Sequence, residues 1–486
     1  MTLAELASAC GAQLRGDGGV IVTGITHRAQ EVAPGLCFAA LPGQHHHGLE
    51  FLAEALARGA AAVLSDRDPG GGCPWLRTPE PRRATALAAW ALAGYPQRRL
   101  HMVGVTGTNG KSTVVDLTAR IAAAAGAVPA TFTTVAYTLP HRSCPAQRTT
   151  PEATVLAPLL AEVVKAGGTF AALEVSSHAL ALDRVAGLEV DVAVWTNLSR
   201  DHLDFHHTME AYLAAKRKLE GLLRVSPAGR RVINGDDPYF KPMLSRTRRG
   251  DLTFGLDAGH HVTARIRRQS LEGSLITLHT PQGNLEVLLP LIGSHNVYNA
   301  LAAAAAGVAL GFPLEAITTG LSTASPLPGR LEPVATAAPC PIFVDYAHTP
   351  DALAKVLGAL REVTDRRLIV VFGAGGDKDR GKREPMGEVV GQLADVPIVT
   401  SDNPRSEDPQ AIIDAILTGV RRSGNPRALA IPDRREAIAA ALAMADARGL
   451  VLIAGKGHET TQTFADREIP FDDRQVAREL AHRRRP

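Results

Sequence analysis

The sequence lacks most of the features that mark secreted, membrane or nucleic-acid-binding chains. It has five cysteines, Cys10, Cys37, Cys73, Cys144 and Cys340, scattered and without a CxxC pair. Neither a disulfide framework nor a cysteine zinc site is therefore indicated. No run approaches the ~20 apolar residues needed to cross a bilayer, and the longest Ala-rich stretch, Leu301 to Leu310, reads as a buried helix. The opening Met1-Thr2-Leu3-Ala4-Glu5 has no basic segment followed by an apolar core, so no secretory signal is expected. Net charge is only +3, from 52 Lys and Arg against 49 Asp and Glu, which excludes a bulk nucleic-acid binder. The one basic run, Arg483 to Arg485, reads as a solvated end. Repeats are absent too. What remains is a cytoplasmic, multidomain enzyme, expected to act as a monomer on small molecules.

What is present fits that class. With 45% hydrophobic and 21% charged residues the chain is an ordinary globular protein, and 486 residues at roughly 150 per domain suggest about three domains. Near-continuous apolar strands alternate with helices: Met102 to Val105, Ala171 to Val175, Val192 to Trp195 and Arg231 to Asn234 in one series. Ile342 to Asp345, Leu368 to Phe372, Pro397 to Thr400 and Leu450 to Ala454 form a second. That pattern predicts α/β architecture with parallel sheets covered on both faces. Breaks at Gly94 to Arg99 and at Ser325 to Arg330 divide the chain into 1–97, 98–328 and 329–486.

The segment Gly104-Val105-Thr106-Gly107-Thr108-Asn109-Gly110-Lys111-Ser112-Thr113 follows a strand and opens the helical run Val114 to Ala125. Glycines let backbone N–H groups wrap a phosphate at the positive end of that helix. Lys111 would reach the outer phosphates, and the Ser112 hydroxyl would ligate Mg²⁺. A strict P-loop needs glycine where Val105 stands, yet Gly107 to Ser112 keeps the same mechanics. This pattern implies a nucleoside triphosphate.

Joined to Glu174-Val175-Ser176-Ser177-His178 and to Asn197 through Asp204, the loop makes the sequence resemble the Mur ligases, which form amide bonds in peptidoglycan precursors at the expense of ATP. Further motifs follow in order over nearly the whole chain: Thr149 to Glu152, Tyr212 to Lys216, His295 to Asn299, Pro328 to Arg330, Asp345 to Pro350, Gly375 to Asp379, Asp402 to Arg405 and Gly455 to Glu459. The resemblance points to the branch that adds the third, diamino residue to UDP-N-acetylmuramoyl-L-alanyl-D-glutamate. It implies a small N-terminal α/β domain for the UDP substrate, a central P-loop ATPase sheet and a C-terminal Rossmann-like domain. It implies ATP contacts from Gly107, Thr108, Asn109, Gly110, Lys111, Ser112, Thr113, Asn299, Arg330 and Asp345, with closure of the last domain completing the site. Ser112, Glu174, His202 and Lys216 would serve Mg²⁺, with Lys111, Glu174, His202 and Lys216 as the catalytic set.

Lys216 is the sharpest of these expectations. By composition it is one cation of the basic helical face Met209 to Leu219, and a solvated charge is the plain alternative. The resemblance instead implies an N-carboxylated lysine that helps hold a metal ion. Carbamate forms only on the neutral amine, which burial and neighbouring cations favour. For Asn299 the alternative is an N-terminal cap of a helix from Ala300 to Leu310.

For the UDP substrate the resemblance implies Thr149, Thr150, Ser176 and Arg184. The pattern departs at Arg28-Ala29-Gln30, where Asp-Ser-Arg is usual, and at His47, where an acidic residue is usual. Three consecutive histidines, His45 to His47, cannot readily converge on one metal and read as a loop. For the amino acid, Asp402, Asn403, Pro404, Arg405, Gly455 and Glu459 match a pocket for meso-diaminopimelate, where Arg405 would clasp the distal carboxylate. Lys378 stands where an arginine is usual, which leaves L-ornithine and L-lysine open. A folylpolyglutamate synthetase-like ligase would lack the block before the loop, and a catalytically dead nucleotide-binding relative would not keep Lys111, Glu174, His202 and Lys216.

Overall fold

The computed structural model describes residues 1–486 except 44–45, 71, 226–228, 247, 337 and 483–486. The basic tail and the His45 position of the histidine run thus lie outside the described residues. Contacts divide the chain into two compact units, one of Met1–Arg265, Thr277–Val287 and Tyr298–Thr323, the other of Ile266–Ile276, Leu288–Val297 and Ala324–Pro486. No helix among the described residues is long and apolar enough to cross a membrane.

The first unit begins with a five-stranded sheet in the order Gln13–Arg15, Trp75–Arg77, Ala62–Ser65, Leu36–Ala39, Gly24–Thr26, parallel except at its first pair. The helix Pro81–Leu92 packs on it, and Trp90 donates from Nε1 to the Ala186 carbonyl at 2.9 Å, tying this block to the next within the same unit. The following sheet has its centre in five parallel strands: Arg230–Asn234, Val192–Trp195, His101–Thr106, Phe170–Glu174 and Pro129–Phe132. Every residue of Phe170–Glu174 and Val192–Trp195 is buried, as strands covered by helices on both faces must be. Register sets Glu174 opposite Val105 and Trp195 opposite Thr106, so three carboxyl ends finish level around the loop after Thr106. Ligand sites of parallel sheets form at such ends.

The second unit holds a six-stranded sheet in the order Glu332–Pro333, Ile342–Asp345, Gly449–Ala454, Arg367–Phe372, Val396–Val399, Leu429–Ala430, parallel beyond its first pair. Alternation within a strand builds two separate cores. Leu368, Val370 and Phe372 pack with Leu353, Met386 and Ile416 on one face. Ile369 and Val371 pack with Ile438, Leu442 and Val476 on the other. Chain order along this sheet reverses beside Gly449–Ala454, which places a crevice at its carboxyl ends.

The α/β class and parallel sheets expected from the sequence are those observed. One helix starts earlier than expected: it runs Ser294–Ala309, so Asn299 lies inside it and cannot cap it. The turn at Gly293, with φ 91°, already reverses the chain before Ser294. The expected buried Ala-rich stretch holds, with Ala300 and Ala302 to Ala306 at 0% exposure.

Candidate active site

Two glycines of the loop after Thr106 are required by space as well as backbone. Gly107 has φ 151°, and a Cβ there would lie 1.9 Å from Thr196 Oγ1; Gly110 has φ 85°, and its Cβ would meet Asn299 Oδ1 at 2.2 Å. Asn299 therefore borders the loop. Asn109 N–H donates to Asn197 Oδ1 at 3.0 Å, and Thr108 N–H to the Asn197 carbonyl at 2.8 Å. The helix Lys111–Ala124 begins directly after this loop, with Ser112 and Thr113 in its first turn and no side chain capping it. Its N–H groups and Lys111 make a ready anion site. Lys111 Nζ folds back to the carbonyls of Gly107 (3.1 Å) and Thr108 (2.9 Å).

At the end of the adjacent strand, Glu174 is 1% exposed. Its Oε1 accepts from Ser112 Oγ at 2.6 Å and from Thr134 N–H at 2.8 Å. A buried carboxylate and a hydroxyl side by side are hard oxygen donors of the kind Mg²⁺ takes. His202 follows the next strand in the left-handed region, φ 53°, with its side chain 47% exposed and edge-on to His178, ring centres 4.8 Å apart. Among the described residues no group of three or more His, Cys, Asp or Glu could hold a metal ion. A metal here would rest on Ser112, Glu174, His202 and an anion formed on Lys216.

Lys216 is not on a solvated face. It is 1% exposed, its Nζ donates to the Gly107 carbonyl at 2.7 Å, and it lies 4.4 Å over the Tyr212 ring. Burial pushes its pKa well below the usual lysine value, nearby Lys111 adds to that, and Asp201 opposes it. Two lysines thus converge on the carbonyl of Gly107, and the buried one is disposed to be the neutral amine.

Around Glu174 the hydroxyl residues form one chain. Thr134 Oγ1 donates to Thr149 Oγ1 at 3.1 Å, and Thr150 Oγ1 donates to the Glu174 carbonyl at 2.8 Å and accepts from Ser176 N–H at 3.0 Å. Ser176 Oγ caps the short helix Ser177–Ala181. Arg184, its side chain 14% exposed, forms an ion pair through Nε with Glu152 Oε1 at 3.2 Å. His27, Arg82 and Glu152 share a small cavity with Arg184, and burial lowers the pKa of both His27 and Arg184. At the departures noted above, Arg28 pairs with Glu31 at 2.8 Å, and His47 bridges Leu49 N–H (3.2 Å) and Asp66 (2.9 Å). His46 turns to Glu50 instead, so His46 and His47 do not converge.

In the second unit Asp345, 8% exposed, accepts from Leu331 N–H (2.6 Å) and Ala347 N–H (2.7 Å). Burial raises its pKa against the pull of Arg330, whose guanidinium lies over Tyr346 at 5.2 Å. In the crevice of this sheet stand Asp402, Asn403, buried Pro404 and Arg405. Asp402 is 6% exposed, and among the described residues its Oδ2 has no hydrogen-bond partner. Gly455, with φ 116°, is what leaves that oxygen room, since a Cβ would come within 2.4 Å of it. Arg405 adopts φ 51° and donates from Nη1 to the Gly376 carbonyl at 2.7 Å. Glu459 Oε2 accepts from Asn403 Nδ2 at 2.8 Å and Lys456 Nζ at 3.1 Å. Lys378, by contrast, is exposed on the loop after Gly376.

Sequence reasoning missed several neighbours. Thr134 holds Glu174 from a loop with no motif. Tyr212, quoted only as the start of a motif, supplies the ring beneath Lys216. Glu407 braces the turn: it accepts from Asp377 N–H at 2.7 Å and Arg383 Nη2 at 2.8 Å, and these bonds draw its pKa down to about 2. Its position two residues after Arg405 was the one available signal.

Comparison with known proteins agrees with this geometry. Residues 105–307 match the Mur ligase middle domain and residues 329–457 the Mur ligase glutamate ligase domain. The chain is similar to UDP-N-acetylmuramoyl-L-alanyl-D-glutamate–2,6-diaminopimelate ligase of Solibacter usitatus, 43% identical over 94% of this chain and 93% of that protein. UDP-N-acetylmuramyl-tripeptide synthetase of Deinococcus radiodurans is also 43% identical, with 94% of each covered. A solved structure of a UDP-N-acetylmuramoyl-L-alanyl-D-glutamate–2,6-diaminopimelate ligase superimposes with a TM-score of 0.73 at 33% identity over 99% of both chains. The chain belongs to the Mur ligase family.

Proposed function

We propose that the protein is an ATP-dependent ligase that joins meso-diaminopimelate to UDP-N-acetylmuramoyl-L-alanyl-D-glutamate, as a cytoplasmic monomer of three domains, 1–97, 98–328 and 329–486. The reading is carried by one observation: at three level strand ends, a phosphate loop, the hydrogen bond from Ser112 to buried Glu174, and buried Lys216 meet around Gly107. The substrate carboxylate attacks the γ-phosphorus of ATP, releasing ADP and leaving an acyl phosphate. An amine then attacks the acyl carbon, phosphate departs with the bonding electrons, and the nitrogen gives up a proton to solvent as the amide forms.

Such phosphoryl transfer needs charge neutralisation and alignment more than covalent help. Lys111 and the first N–H groups of its helix would supply both to the phosphates, joined by Gly107 to Thr113 and Asn299, with Arg330 and Asp345 as further nucleotide contacts. Mg²⁺, held by Ser112, Glu174, His202 and Lys216 as a carbamate, would spread the phosphate charge further. Thr149, Thr150, Ser176 and Arg184 would orient the UDP-linked dipeptide. Arg184, a guanidinium already beside the Glu152 carboxylate, suits a carboxylate of the substrate there.

For the amino acid, unpartnered Asp402 Oδ2 and Glu459 suit an ammonium group, and Arg405 suits the distal carboxylate that only diaminopimelate carries. Relatives named as diaminopimelate ligases support this choice. L-Ornithine or L-lysine is the second reading, favoured by the exposed Lys378 in place of an arginine. The test is ADP release in the presence of ATP, Mg²⁺, UDP-linked dipeptide and each amino acid in turn. Release that requires both acceptor and amino acid is expected; release indifferent to either would overturn the reading.

A further inference from the structure

Lys456 sits in the Gly455 to Glu459 segment yet does not reach out of it. It is 0% exposed, and its Nζ donates to Asn403 Oδ1 (3.0 Å), Glu459 Oε2 (3.1 Å) and the Thr461 carbonyl (2.5 Å). Three acceptors match the three hydrogens of an ammonium, so this group has no donor left for a ligand. Its partners, however, are two residues of the candidate amino-acid pocket. Asn403 Oδ1 faces Lys456 and also accepts from Thr463 N–H at 3.1 Å, which forces Nδ2 toward Glu459 Oε2 at 2.8 Å. Glu459 Oε2 is thereby occupied by two donors, while its side chain stays 31% exposed.

Resting on the amino-acid-pocket reading, we propose that Lys456 is a positioning residue for the amino-acid substrate. It locks the Asn403 amide in one orientation and pins Glu459 by one oxygen, so that Oε1 is presented to the incoming ammonium group. Its charge also balances a pocket that already holds Asp402 with an unpartnered Oδ2. A buried carboxylate without a counter-charge would be costly, and a flipped amide would offer Glu459 an oxygen instead of a donor. The signal in the sequence is slight, because a lysine flanked by two glycines reads as a mobile loop cation.

The test is steady-state kinetics of full-length Lys456→Met, an uncharged side chain of similar volume, with the amino acid and ATP varied separately. The KM for the amino acid should rise about tenfold or more, since charge-assisted bonds are lost. The KM for ATP should stay within about twofold, marking a loss confined to one substrate. In a Glu459→Gln background the same substitution should add less than it does in wild type, because the part of the positioning that acts through that carboxylate is already gone. Lys456→Gln, which keeps a donor, should fall between wild type and Lys456→Met. An unchanged amino-acid KM in Lys456→Met, while Glu459→Gln raises it, would overturn the positioning role alone. An unchanged KM in Glu459→Gln would overturn the pocket reading itself. Parallel losses for both substrates, or failure of both Lys456 variants to fold, would make Lys456 a residue of the fold and overturn the proposal.

Discussion

Lys216 and Lys456 are both shut away from water, at 1% and 0% exposure, but in opposite company. Lys216 Nζ has a carbonyl it shares with Lys111, and an aromatic ring beneath it. Lys456 Nζ has three acceptors, one of them a carboxylate. The first environment starves an ammonium and favours the amine; the second is built for an ammonium. On the reading proposed above, the first lysine is the one to be converted to an anion, and the second stays a cation that holds its neighbours in place. Burial alone says nothing about what a lysine does; the acceptors around Nζ decide it.

The largest effect should come from the residue that meets Lys216 at Gly107. Lys111→Ala is expected to cut ligation by on the order of 10²–10³ or more, through loss of charge stabilisation at the γ-phosphate. Turnover of the purified, folded variant checks this, and near-normal rates would remove the phosphate-loop assignment.

Lys216→Ala sharpens the comparison directly. It should be nearly inactive, by about 10²-fold or more, and small carboxylates added to the assay should restore part of the activity by replacing a carbamate. Lys456→Met should show no such rescue, since there a cation and not an anion is missing. Intact mass of the native enzyme should carry one added carbon dioxide; an unmodified lysine in an active enzyme would break the comparison at its root.

Arg405→Ala tests the pocket that Lys456 supports. Turnover with meso-diaminopimelate should fall by about 10²-fold or more, because a site built for a polar partner loses its discrimination when that partner is gone. ATP binding, measured by calorimetry, should be unchanged.

The smallest effect on catalysis is expected at Glu407, which braces the Arg405 turn from behind. Its folded-state pKa of about 2 lies below the usual carboxylate value, so its stabilising contribution is complete above the ordinary value and fades as pH falls toward 2. Melting temperature followed from pH 7 to pH 3 should therefore drop less steeply in Glu407→Gln than in wild type. An identical slope in the two proteins would contradict the assignment.

The sequence revealed one of these lysines better than the other. The phosphate loop was legible because its glycines, Lys111 and Ser112 are local: spacing between one strand and one helix carries the whole signal. Glu174 and His202 were legible as residues just past apolar strands, where parallel sheets gather ligands. The burial of Lys216 was not, because the carbonyl that receives its Nζ belongs to Gly107, far away in sequence, and only the fold brings the two together. The setting of Lys456 was hidden in part for the same reason: Glu459 and Thr461 are near it in sequence, but Asn403 is brought to it by the fold. Asn299 was misplaced in a different way: a capping position was the alternative to the nucleotide contact that the resemblance implied, and the turn at Gly293 started the helix before it. Local chemistry is written in local spacing; burial and counter-charge are written in the fold.

The most direct test of the account is a competition assay. The enzyme is given ATP, Mg²⁺, UDP-N-acetylmuramoyl-L-alanyl-D-glutamate and equal concentrations of meso-diaminopimelate, L-ornithine and L-lysine, and the tripeptide products are resolved by mass. The account predicts that the meso-diaminopimelate tripeptide dominates, with one ADP released per product. A mixture dominated by the ornithine or lysine tripeptide would contradict the role given to Arg405, and ADP release without any tripeptide would contradict the ligase itself.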